Sequence, residues 1–376
     1  MAQSAVSAGF RVSSIDAFGD LDQPDSARVF VAGSGAGAPD TWRTRRLPAL
    51  AARAAPDADA VAYASSLEND PRAVAALARG RVLWGNGAEV LRRVRDPRLV
   101  AETLRARGHH APIVRMPDET WSIASHEDWL LKPVRSGGGR HVRPWRRGSR
   151  VPPSCYAQQY VDGAPGSVLF VAAAGQTAPL GVTRQIVGDP AFGAARFRYC
   201  GSILCPGGDA ESDAWREPSA ALACSTVTTF ELVGVGGVDF IAREGVVHPI
   251  EVNPRWTSAM ELVERVWGHS LFAAHVDACL RGSLPRVQPG GFVTSSARAH
   301  GKAIVFARRN VRLGDTRVWL DADIADIPHA WTQVSAGEPV CTVFADGMDA
   351  TSCRSALVAR AAEIYRQLDQ WHEEAA

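Results

Sequence analysis

Lysine is nearly absent from this chain. Of the 41 basic residues among 376, only Lys132 and Lys302 are lysines, and the remainder are arginines. A lysine carries a compact point charge and an arginine a broad planar one, so the two are not interchangeable where a cation must approach an anion closely. The scarcity predicts that a retained lysine marks a place that arginine cannot fill, unless both positions persist by chance.

Charge imbalance, paired cysteines and long apolar runs are also missing. A formal net charge of +1 gives no reason to expect nucleic acid or an anionic membrane as a partner. The seven cysteines form no CxxC pair, which argues against a zinc ribbon or a disulfide framework. No stretch reaches the ~18 apolar residues of a membrane span, and the N-terminus lacks a signal-peptide pattern. We therefore expect a cytoplasmic protein with reduced thiols.

The order of the predicted elements indicates an α/β protein. Short apolar segments alternate with helical ones over about the first 95 residues, a pattern typical of a parallel sheet. No strand precedes the first predicted helix, Ser4–Ala8, so either this domain lacks its first strand or the natural chain begins upstream. Asp96 and Pro97 predict the start of a later helix, because Asp caps helix N-termini and Pro fits the first turn.

Further along, glycines and prolines predict that residues 186–218 are mostly loop. A helix is expected over Glu217–Leu232, followed by a hairpin over Gly237–Val252 and a second helix over Ser270–Leu280. The chain is predicted to close with a helix from about Cys353 to His372.

A glycine loop follows Lys132. The lysine ends an apolar segment, and Ser136, Gly137, Gly138 and Gly139 come shortly after it. Glycines let backbone N–H groups approach an anion closely, and a nearby lysine can neutralise phosphate charge. The lysine precedes the glycines, so this is not a Walker A motif. The segment predicts a phosphate site, with a merely flexible turn as the alternative.

Asp239, Glu251 and Asn253 lie in two apolar segments joined by a turn at residues 243–245. Folding at that turn brings Asp239 opposite Glu251 or nearly so, and Glu251 and Asn253 share a strand face because side chains alternate. Three oxygen ligands suit Mg²⁺ bound together with phosphates. The alternative, a hairpin with solvated polar positions, is disfavoured because carboxylates among apolar neighbours need a partner.

Arg255 lies two residues beyond Asn253. It shares the same face if the chain stays extended past Pro254. A cation there could contact a transferring phosphoryl group, and a surface salt bridge is the alternative.

Taken in order, three segments closely resemble the ATP-grasp superfamily. They are K-P…S-G-G-G from Lys132, Q-Q-Y-V-D-G from Gln158 and D-F…E-V-N-P-R from Asp239. The resemblance implies an ATP-grasp domain over residues 96–285, of α+β type, with a lid over about 109–165 and a metal-binding part over about 166–285. It also implies a preceding Rossmann-like domain over 1–95 and a small C-terminal lobe over 286–376.

The resemblance assigns roles to the motif residues. Lys132 would contact the phosphates of ATP, and the glycine loop would close over them. Gln159, Tyr160 and Val161 would form the hinge beside the adenine, and Asp162 would contact the ribose or the hinge. The expected ligands of Mg²⁺, with Mn²⁺ as an alternative ion, are Asp239, Glu251 and Asn253. Arg255 would steady the phosphoryl group.

Two cations stay unassigned. Many superfamily members carry another lysine near the start of this region, and here either Arg95 or Arg98 could take its place. Lys302 either reaches the active site from the C-terminal lobe or lies on the surface.

Substrate contacts are expected beyond the nucleotide site, with surface polar positions as the alternative for each. Glu68 follows a predicted strand at the edge where α/β domains bind ligands. The other candidates lie near the nucleotide in comparable folds or follow the metal strand, and they are Arg184, Gln185, Arg196 and Glu261.

The resemblance implies an ADP-forming ligase that makes a carbon–nitrogen bond between a carboxylate and an amine through an acyl phosphate. Residues 8–22 and 251–264 resemble, more weakly, carboligases related to biotin carboxylase, a group that includes tyramine–glutamate ligases. Glutamate and a small amine are therefore candidate substrates. The alternatives are a biotin-carboxylase-like carboxylase and a non-catalytic ATP-binding regulatory module. No nucleic acid or membrane partner is expected, and a homodimer is left open.

Overall fold

The structure of the chain, a computed structural model, describes residues 1–32, 44–64, 66–117, 119, 128–146, 148–205, 207, 209–288, 291–294 and 296–374. The helices in these ranges are α1 (Ala2–Ser7), α2 (Leu47–Ala54), α3 (Pro71–Leu77), α4 (Ala88–Val94), α5 (Pro97–Ala106), α6 (Ala210–Phe230), α7 (Met260–Trp267), α8 (Leu271–Arg281) and α9 (Ala350–Glu374). None of the described helices is both long and apolar enough to cross a membrane.

The strands in the same ranges form one large sheet and several small ones. They are β1 (Ser13–Asp16), β2 (Arg28–Val31), β3 (Ala60–Ala62), β4 (Val82–Trp84), β5 (Val114–Arg115), β6 (Trp129–Pro133), β7 (Arg143–Pro144), β8 (Cys155–Gln159), β9 (Ala164–Ala173), β10 (Gln176–Val187), β11 (Tyr199–Leu204), β12 (Gly234–Arg243), β13 (Val246–Asn253), β14 (Ala299–Phe306), β15 (Val311–Arg312), β16 (Ile324–Ala325), β17 (Gln333–Val334) and β18 (Pro339–Gly347).

The N-terminal part contains two parallel strand pairs, β1–β2 and β3–β4. Their pairing agrees with the alternation of strands and helices in the sequence. Tyr63, Val74 and Leu91 are buried together between these strands and the helices α2 to α4. A one-turn 3₁₀ helix, Leu67–Asn69, follows β3 and carries two polar residues toward the rest of the molecule.

The predicted lid region contains a four-stranded sheet in the order β5-β8-β6-β7. Lys132 lies on β6 opposite Tyr156 of β8. Before the lid, α5 begins where the sequence predicts, because the Asp96 side chain accepts hydrogen bonds from the backbone N–H groups of Arg98 and Leu99.

An eight-stranded sheet in the order β13-β12-β9-β10-β11-β14-β18-β16 carries the predicted metal strands. The predicted hairpin is confirmed, and Asp239 lies directly opposite Glu251 in the β12–β13 pair. Strands β14, β16 and β18, which follow the predicted boundary at residue 285, continue the same sheet. The metal strands and the C-terminal strands therefore share one hydrogen-bonded framework.

Helices cover both faces of this sheet, and the alternation of side chains decides which face each strand residue occupies. Val238 and Phe240 are fully buried with residues of α6 on one face. Leu169 and Met260 are buried on the other face, where α7 and α8 pack. Each such large side chain contributes about 1.5–3 kcal/mol on burial. Because Asp239 lies between Val238 and Phe240 in sequence, packing of its neighbours against α6 turns it to the opposite face.

The prediction of loop over residues 186–218 is wrong in part. Strand β11 lies within it, and α6 begins at Ala210 rather than Glu217. Five of the six residues of β11 are buried, so the strand lacks the alternation that identifies a half-exposed strand. Pro218 lies inside α6, where proline costs about 3 kcal/mol, and burial of Trp215 and Leu222 against the sheet offsets that cost.

Candidate active site

Two carboxylates form the centre of the site. Asp239 Oδ1 accepts a hydrogen bond from Gln185 Nε2 at 2.9 Å, and its Oδ2 accepts one from Asn253 Nδ2 at 3.0 Å. Burial and the adjacent negative charge of Glu251 raise the pKa of Asp239 to about 6. Neighbouring carboxylates oppose each other's ionisation, and a bound cation removes that opposition.

The donor set of Asp239, Glu251 and Asn253 fits Mg²⁺. It supplies two carboxylates and one amide, which are the hard oxygen ligands that this ion takes. In the described ranges no three His, Cys, Asp or Glu side chains converge as a metal cage. Three oxygen ligands would leave positions on Mg²⁺ for phosphates and water.

Lys132 shares the neighbourhood of these carboxylates. Burial lowers the pKa of its ammonium, and the negative charges of Glu251 and Asp239 partly oppose that lowering. The lysine predicted to neutralise phosphates and the residues predicted to hold Mg²⁺ therefore come together in space from two different sheets.

Arg95, rather than Arg98, points into the site. Its guanidinium donates to Glu251 Oε1 at 2.8 Å, to the carbonyl of Ser136 at 3.2 Å and to Asn69 Oδ1 at 3.0 Å. Arg98 is exposed and pairs with Glu119 instead. Between the two arginines that the sequence could not separate, Arg95 is the one beside a predicted metal ligand, Glu251.

The glycine loop rests on the segment that leads into β11. The Tyr199 N–H donates to the carbonyl of Gly138 at 3.1 Å. Gly139 has a φ of +71°, and a Cβ there would lie 1.7 Å from the carbonyl oxygen of Phe197. Only glycine fits this position, because both the backbone conformation and the available space exclude a side chain.

Arg255 is held from two sides. Its Nη2 donates to Glu68 Oε1 at 2.7 Å and to Asn253 Oδ1 at 3.2 Å, and its Nη1 donates to the carbonyl of Trp256 at 3.1 Å. Glu68 comes from the N-terminal 3₁₀ helix and is only 1% exposed. Adjacent residues of that short helix, Glu68 and Asn69, thus bind two different arginines of the site.

The predicted hinge residues lie where the lid joins the large sheet. Gln159 ends β8, and its N–H donates to the carbonyl of Ile113 at 2.9 Å. Tyr160, Val161 and Asp162 continue toward β9, and the Tyr160 N–H donates to the carbonyl of Asp128 at 2.8 Å. The structure therefore places these four residues in the short link between β8 of the four-stranded sheet and β9 of the large sheet. They are far from Asp239 and Glu251 in sequence but lie at the base of the predicted lid.

Two of the predicted substrate residues, Arg184 and Arg196, lie away from the carboxylates at the centre of the site. Arg184 donates to Asp209 and Glu211 and stacks over Trp215, on the face of β10 opposite to Gln185. Arg196 is exposed in the loop before β11. Arg184 was a candidate because its segment lies near the nucleotide in comparable folds, but alternation along the strand turns its side chain away from that of Gln185.

Lys302 is not a surface residue. It is 4% exposed, and its Nζ lies 2.6 Å from Glu261 Oε2. Gln185, Ser202 and Lys302 are cross-strand partners along β10, β11 and β14, so they share the face that carries Asp239. Burial, the largest single influence, lowers the pKa of Lys302, but the charges of Glu261 and Asp326 and the hydrogen bond to Glu261 together outweigh burial, so the pKa is raised.

Three polar residues near the candidate active site were not predicted from the sequence. Tyr199 and Ser202, whose hydroxyls are 2.8 Å apart, lie in the segment predicted as loop, so nothing indicated their orientation. One feature of the sequence could have pointed to Asn69 as a site residue, namely its position next to Glu68 after a predicted strand.

A cavity of about 530 Å³ opens between the N-terminal part and the glycine loop. Glu68 and Asn69 line it from the N-terminal side, Ser136 and Gly137 line it from the lid, and Arg255 lies beside them. The cavity therefore borders both the predicted phosphate loop and the arginine that is bonded to Asn253.

Comparison with known proteins identifies the fold. Residues 94–259 match the model of a family described as an ATP-grasp domain, and no curated protein matches the chain. Pyruvate carboxylase from Rhizobium etli aligns with a TM-score of 0.72 and 16% identity over 96% of this chain, although the chain spans only 35% of that protein.

Two further structures align over most of their own length. The biotin carboxylase domain of 2-oxoglutarate carboxylase from Hydrogenobacter thermophilus, in complex with MgADP, ADP and bicarbonate, has a TM-score of 0.62 and 14% identity over 91% of this chain and 82% of its own. L-amino acid ligase from Bacillus licheniformis has a TM-score of 0.66 and 13% identity over 98% of this chain and 93% of its own. The chain therefore has the ATP-grasp fold, and residues 94–259 are similar in sequence to an ATP-grasp domain.

Proposed function

We propose that the protein is an ATP- and Mg²⁺-dependent ligase that joins a carboxylate to an amine through an acyl phosphate. The observation that supports this most directly is the gathering of Asp239, Glu251 and Lys132. Arg255, which is hydrogen-bonded to Asn253, extends this group to the cavity. Fixed cations next to metal-binding carboxylates suit phosphoryl transfer, in which catalysis consists of positioning and charge stabilisation. An enzyme of this fold that is named an L-amino acid ligase provides a precedent for the reaction class.

The reaction takes place in two steps. A carboxylate oxygen attacks the γ-phosphorus of ATP, the bond from that phosphorus to the β–γ bridging oxygen breaks, and ADP leaves. An amine nitrogen then attacks the carbonyl carbon of the acyl phosphate, loses a proton and expels inorganic phosphate. Candidate substrates are an amino acid such as glutamate and a small amine such as tyramine.

The residues of the chain divide the work of the first step. Lys132 and Arg255 offset negative charge at the transferred phosphoryl group. Asp239, Glu251 and Asn253 would hold Mg²⁺, which when bound neutralises phosphate charge. Arg95 supplies the cation that a lysine supplies elsewhere in the superfamily. The glycine loop covers the phosphates and keeps water from the acyl phosphate.

Steady-state ADP release tests the proposal and separates it from the alternatives. Purified protein with ATP and Mg²⁺ is assayed against a panel of carboxylic acids and amines that includes glutamate with tyramine. The ligase predicts ADP release that requires both a carboxylate and an amine. Release that depends on bicarbonate would instead indicate a carboxylase, and nucleotide binding without any release would indicate a regulatory module.

Glu251→Ala tests the metal assignment. We expect ADP release to fall by about a hundredfold or more, because the site loses one of two carboxylates that hold the ion. Glu211→Ala is the matched control, since Glu211 is an exposed glutamate that pairs with Arg184 on the other face of the sheet. Circular dichroism checks that both variants fold, and full activity in folded Glu251→Ala would contradict the assignment.

A further inference from the structure

Residues 129–161, the larger part of the predicted lid, contain no acidic residue. They carry one lysine and six arginines, whereas the other 343 residues carry 34 basic and 40 acidic residues. The net charge of +1 therefore conceals a separation of charge, with a basic segment on a chain that is otherwise acidic. A surface that only needs to stay soluble has both signs interspersed, so solubility does not account for this separation.

Three arginines of this segment are exposed and unpaired. In the described part of the chain, Arg143, Arg146 and Arg150 make no ion pair and donate no side-chain hydrogen bond, and all three are exposed. Arg140 differs from them, because its Nη2 lies 3.1 Å from Glu338 Oε1. We call Arg143, Arg146 and Arg150 the basic lid surface.

The basic lid surface lies away from the predicted phosphate site. Arg143 of β7 is the cross-strand partner of Leu131 on β6, and the next residue of β6 is Lys132. Cross-strand partners share a face of the sheet, and adjacent residues of one strand point to opposite faces. Arg143 and Lys132 therefore leave the sheet on opposite sides, and phosphates bound at Lys132 would not neutralise Arg143.

Hydrogen bonds hold the turn that carries this surface. The Trp145 N–H donates to the carbonyl of Trp129 at 2.7 Å, and the Trp145 indole N–H donates to the carbonyl of Ser149 at 3.1 Å. The Ser149 N–H in turn donates to the carbonyl of Arg146 at 2.9 Å. The backbone that carries Arg146 and Arg150 is thus in place before a partner binds, which lowers the entropic cost of binding.

A nucleic acid fits this surface poorly. Single strands bind by stacking on exposed aromatic rings, but Trp129 and Tyr156 are buried, Trp145 is half-buried, and the exposed Tyr160 lies in the link to β9. Duplexes are read by a helix or a strand ribbon that enters a groove, and the described residues of this segment contain no helix. A long polyanion would also extend past the lid onto the part of the chain with negative net charge.

We propose that the basic lid surface docks a short segment of a partner protein that is rich in aspartate and glutamate. Guanidinium groups pair with carboxylates in a bidentate geometry, and clusters of arginine recognise acidic motifs in this way. A short segment is confined to the lid and avoids the acidic remainder of the chain. Docking on this face is independent of the proposed ligase function, since it uses neither Lys132 nor the predicted metal ligands.

Fluorescence anisotropy of the whole protein tests this docking with three labelled probes. They are a short oligo-L-glutamate, a neutral glycine–serine peptide of the same length, and a single-stranded DNA with the same number of charges. We expect the acidic peptide to bind at least about tenfold more tightly than either other probe. Raising NaCl from about 0.05 M to about 0.5 M should weaken that binding by at least about tenfold, because salt screens exposed charges. DNA that binds as tightly as the acidic peptide would overturn the proposal in favour of a nucleic-acid surface.

The lid variant replaces the three arginines together, as Arg143→Gln, Arg146→Gln and Arg150→Gln. We expect it to bind the acidic peptide at least about tenfold more weakly than the wild type, because three charge-assisted contacts are lost. Circular dichroism checks that the variant folds. If the acidic peptide does not bind the wild type, or binds the folded lid variant equally well, the proposal is wrong and the arginines only face solvent.

A second triple variant is the matched control, because it removes the same charge from exposed arginines of the N-terminal part, Arg53→Gln, Arg72→Gln and Arg79→Gln. We expect its affinity for the acidic peptide to stay within about twofold of that of the wild type, since isolated exposed charges contribute little. Equal weakening in the two triple variants would mean that the peptide responds to net charge rather than to the basic lid surface, and this too would overturn the proposal.

Discussion

At the scale of single residues, the two lysines turn out to occupy different environments. Lys132 lies in the predicted phosphate site, with Glu251 and Asp239 as the charges that act on it. Lys302 is buried against Glu261 on the same face of the large sheet as Gln185. Lys132 is partly buried and Lys302 is buried.

Lys132→Arg should impair the use of ATP. A broad planar guanidinium does not reproduce the compact point charge that Lys132 places beside the two carboxylates. We expect kcat/KM for ATP to fall by about tenfold or more, which corresponds to the loss of one charge-assisted hydrogen bond. Initial rates over a range of ATP concentrations give this value, and unchanged kinetics would remove Lys132 from the phosphate site.

Lys302→Arg should destabilise the fold. The sequence left Lys302 open between the active site and the surface, and the buried position leaves no room for a larger side chain. Overpacking in a buried site costs about 1–3 kcal/mol. Urea unfolding measures the loss, and a free energy of unfolding equal to that of the wild type would mean that the site relaxes to admit arginine.

At the scale of elements, the glycine loop and the segment before β11 act as one unit. Gly139→Ala would force a Cβ against the carbonyl of Phe197 and would strain a positive φ. We expect a loss of about 1–3 kcal/mol in the free energy of unfolding. Gly137→Ala is the control, because Gly137 has nothing within 4 Å of its added Cβ and no positive φ, and it should change stability by less than about 0.5 kcal/mol. Equal effects of the two changes would show that the loop does not rest on Phe197.

Elements with a local signal were predictable from the sequence. The β12–β13 hairpin was predictable, because its turn and the alternation of its side chains fix the register of Asp239 and Glu251 within the segment itself. The start of α5 was predictable, because its capping residue directly precedes the helix in the sequence. Strand β11 was not predictable, because five of its six residues are buried and one of its two partner strands, β14, lies far away along the chain.

The candidate site shows the same limit. The motifs predicted Lys132, Asp239, Glu251 and Asn253, and the structure brings all four together. The choice of Arg95 over Arg98 depends on contacts with Asn69 and Ser136, which come from two other parts of the chain. Contacts of that kind leave no pattern in a single sequence.

At the scale of the whole molecule, the first and last parts of the chain are joined by an acidic contact. Asp22 accepts hydrogen bonds from the N–H groups of Asp326 and Ile327, and the Leu21 N–H donates to the carbonyl of Ile327. Burial, and then the nearby charges of Asp326, Asp16 and Asp22, raise the pKa of Asp20 to about 8.

Stability should therefore depend on pH through Asp20. Between about pH 4 and about pH 8 the folded chain keeps a proton on Asp20 that the unfolded chain has lost. The contribution of Asp20 to the free energy of unfolding therefore falls as pH rises from about 4 to about 8, and above that it is constant. Asp20→Asn removes this dependence. We expect the variant to gain at least about 1 kcal/mol over the wild type between pH 5 and pH 8. Urea unfolding at several pH values gives the difference, and a constant difference would contradict the burial of a protonated Asp20.

The central claim, that ATP is used to form an acyl phosphate, is tested most directly by following oxygen. A carboxylic acid whose carboxylate oxygens carry a heavy isotope is incubated with the protein, ATP, Mg²⁺ and an amine, and the inorganic phosphate released is analysed by mass spectrometry. The acyl phosphate route predicts that one labelled oxygen passes from each carboxylate to phosphate. Amide formation with unlabelled phosphate would contradict it.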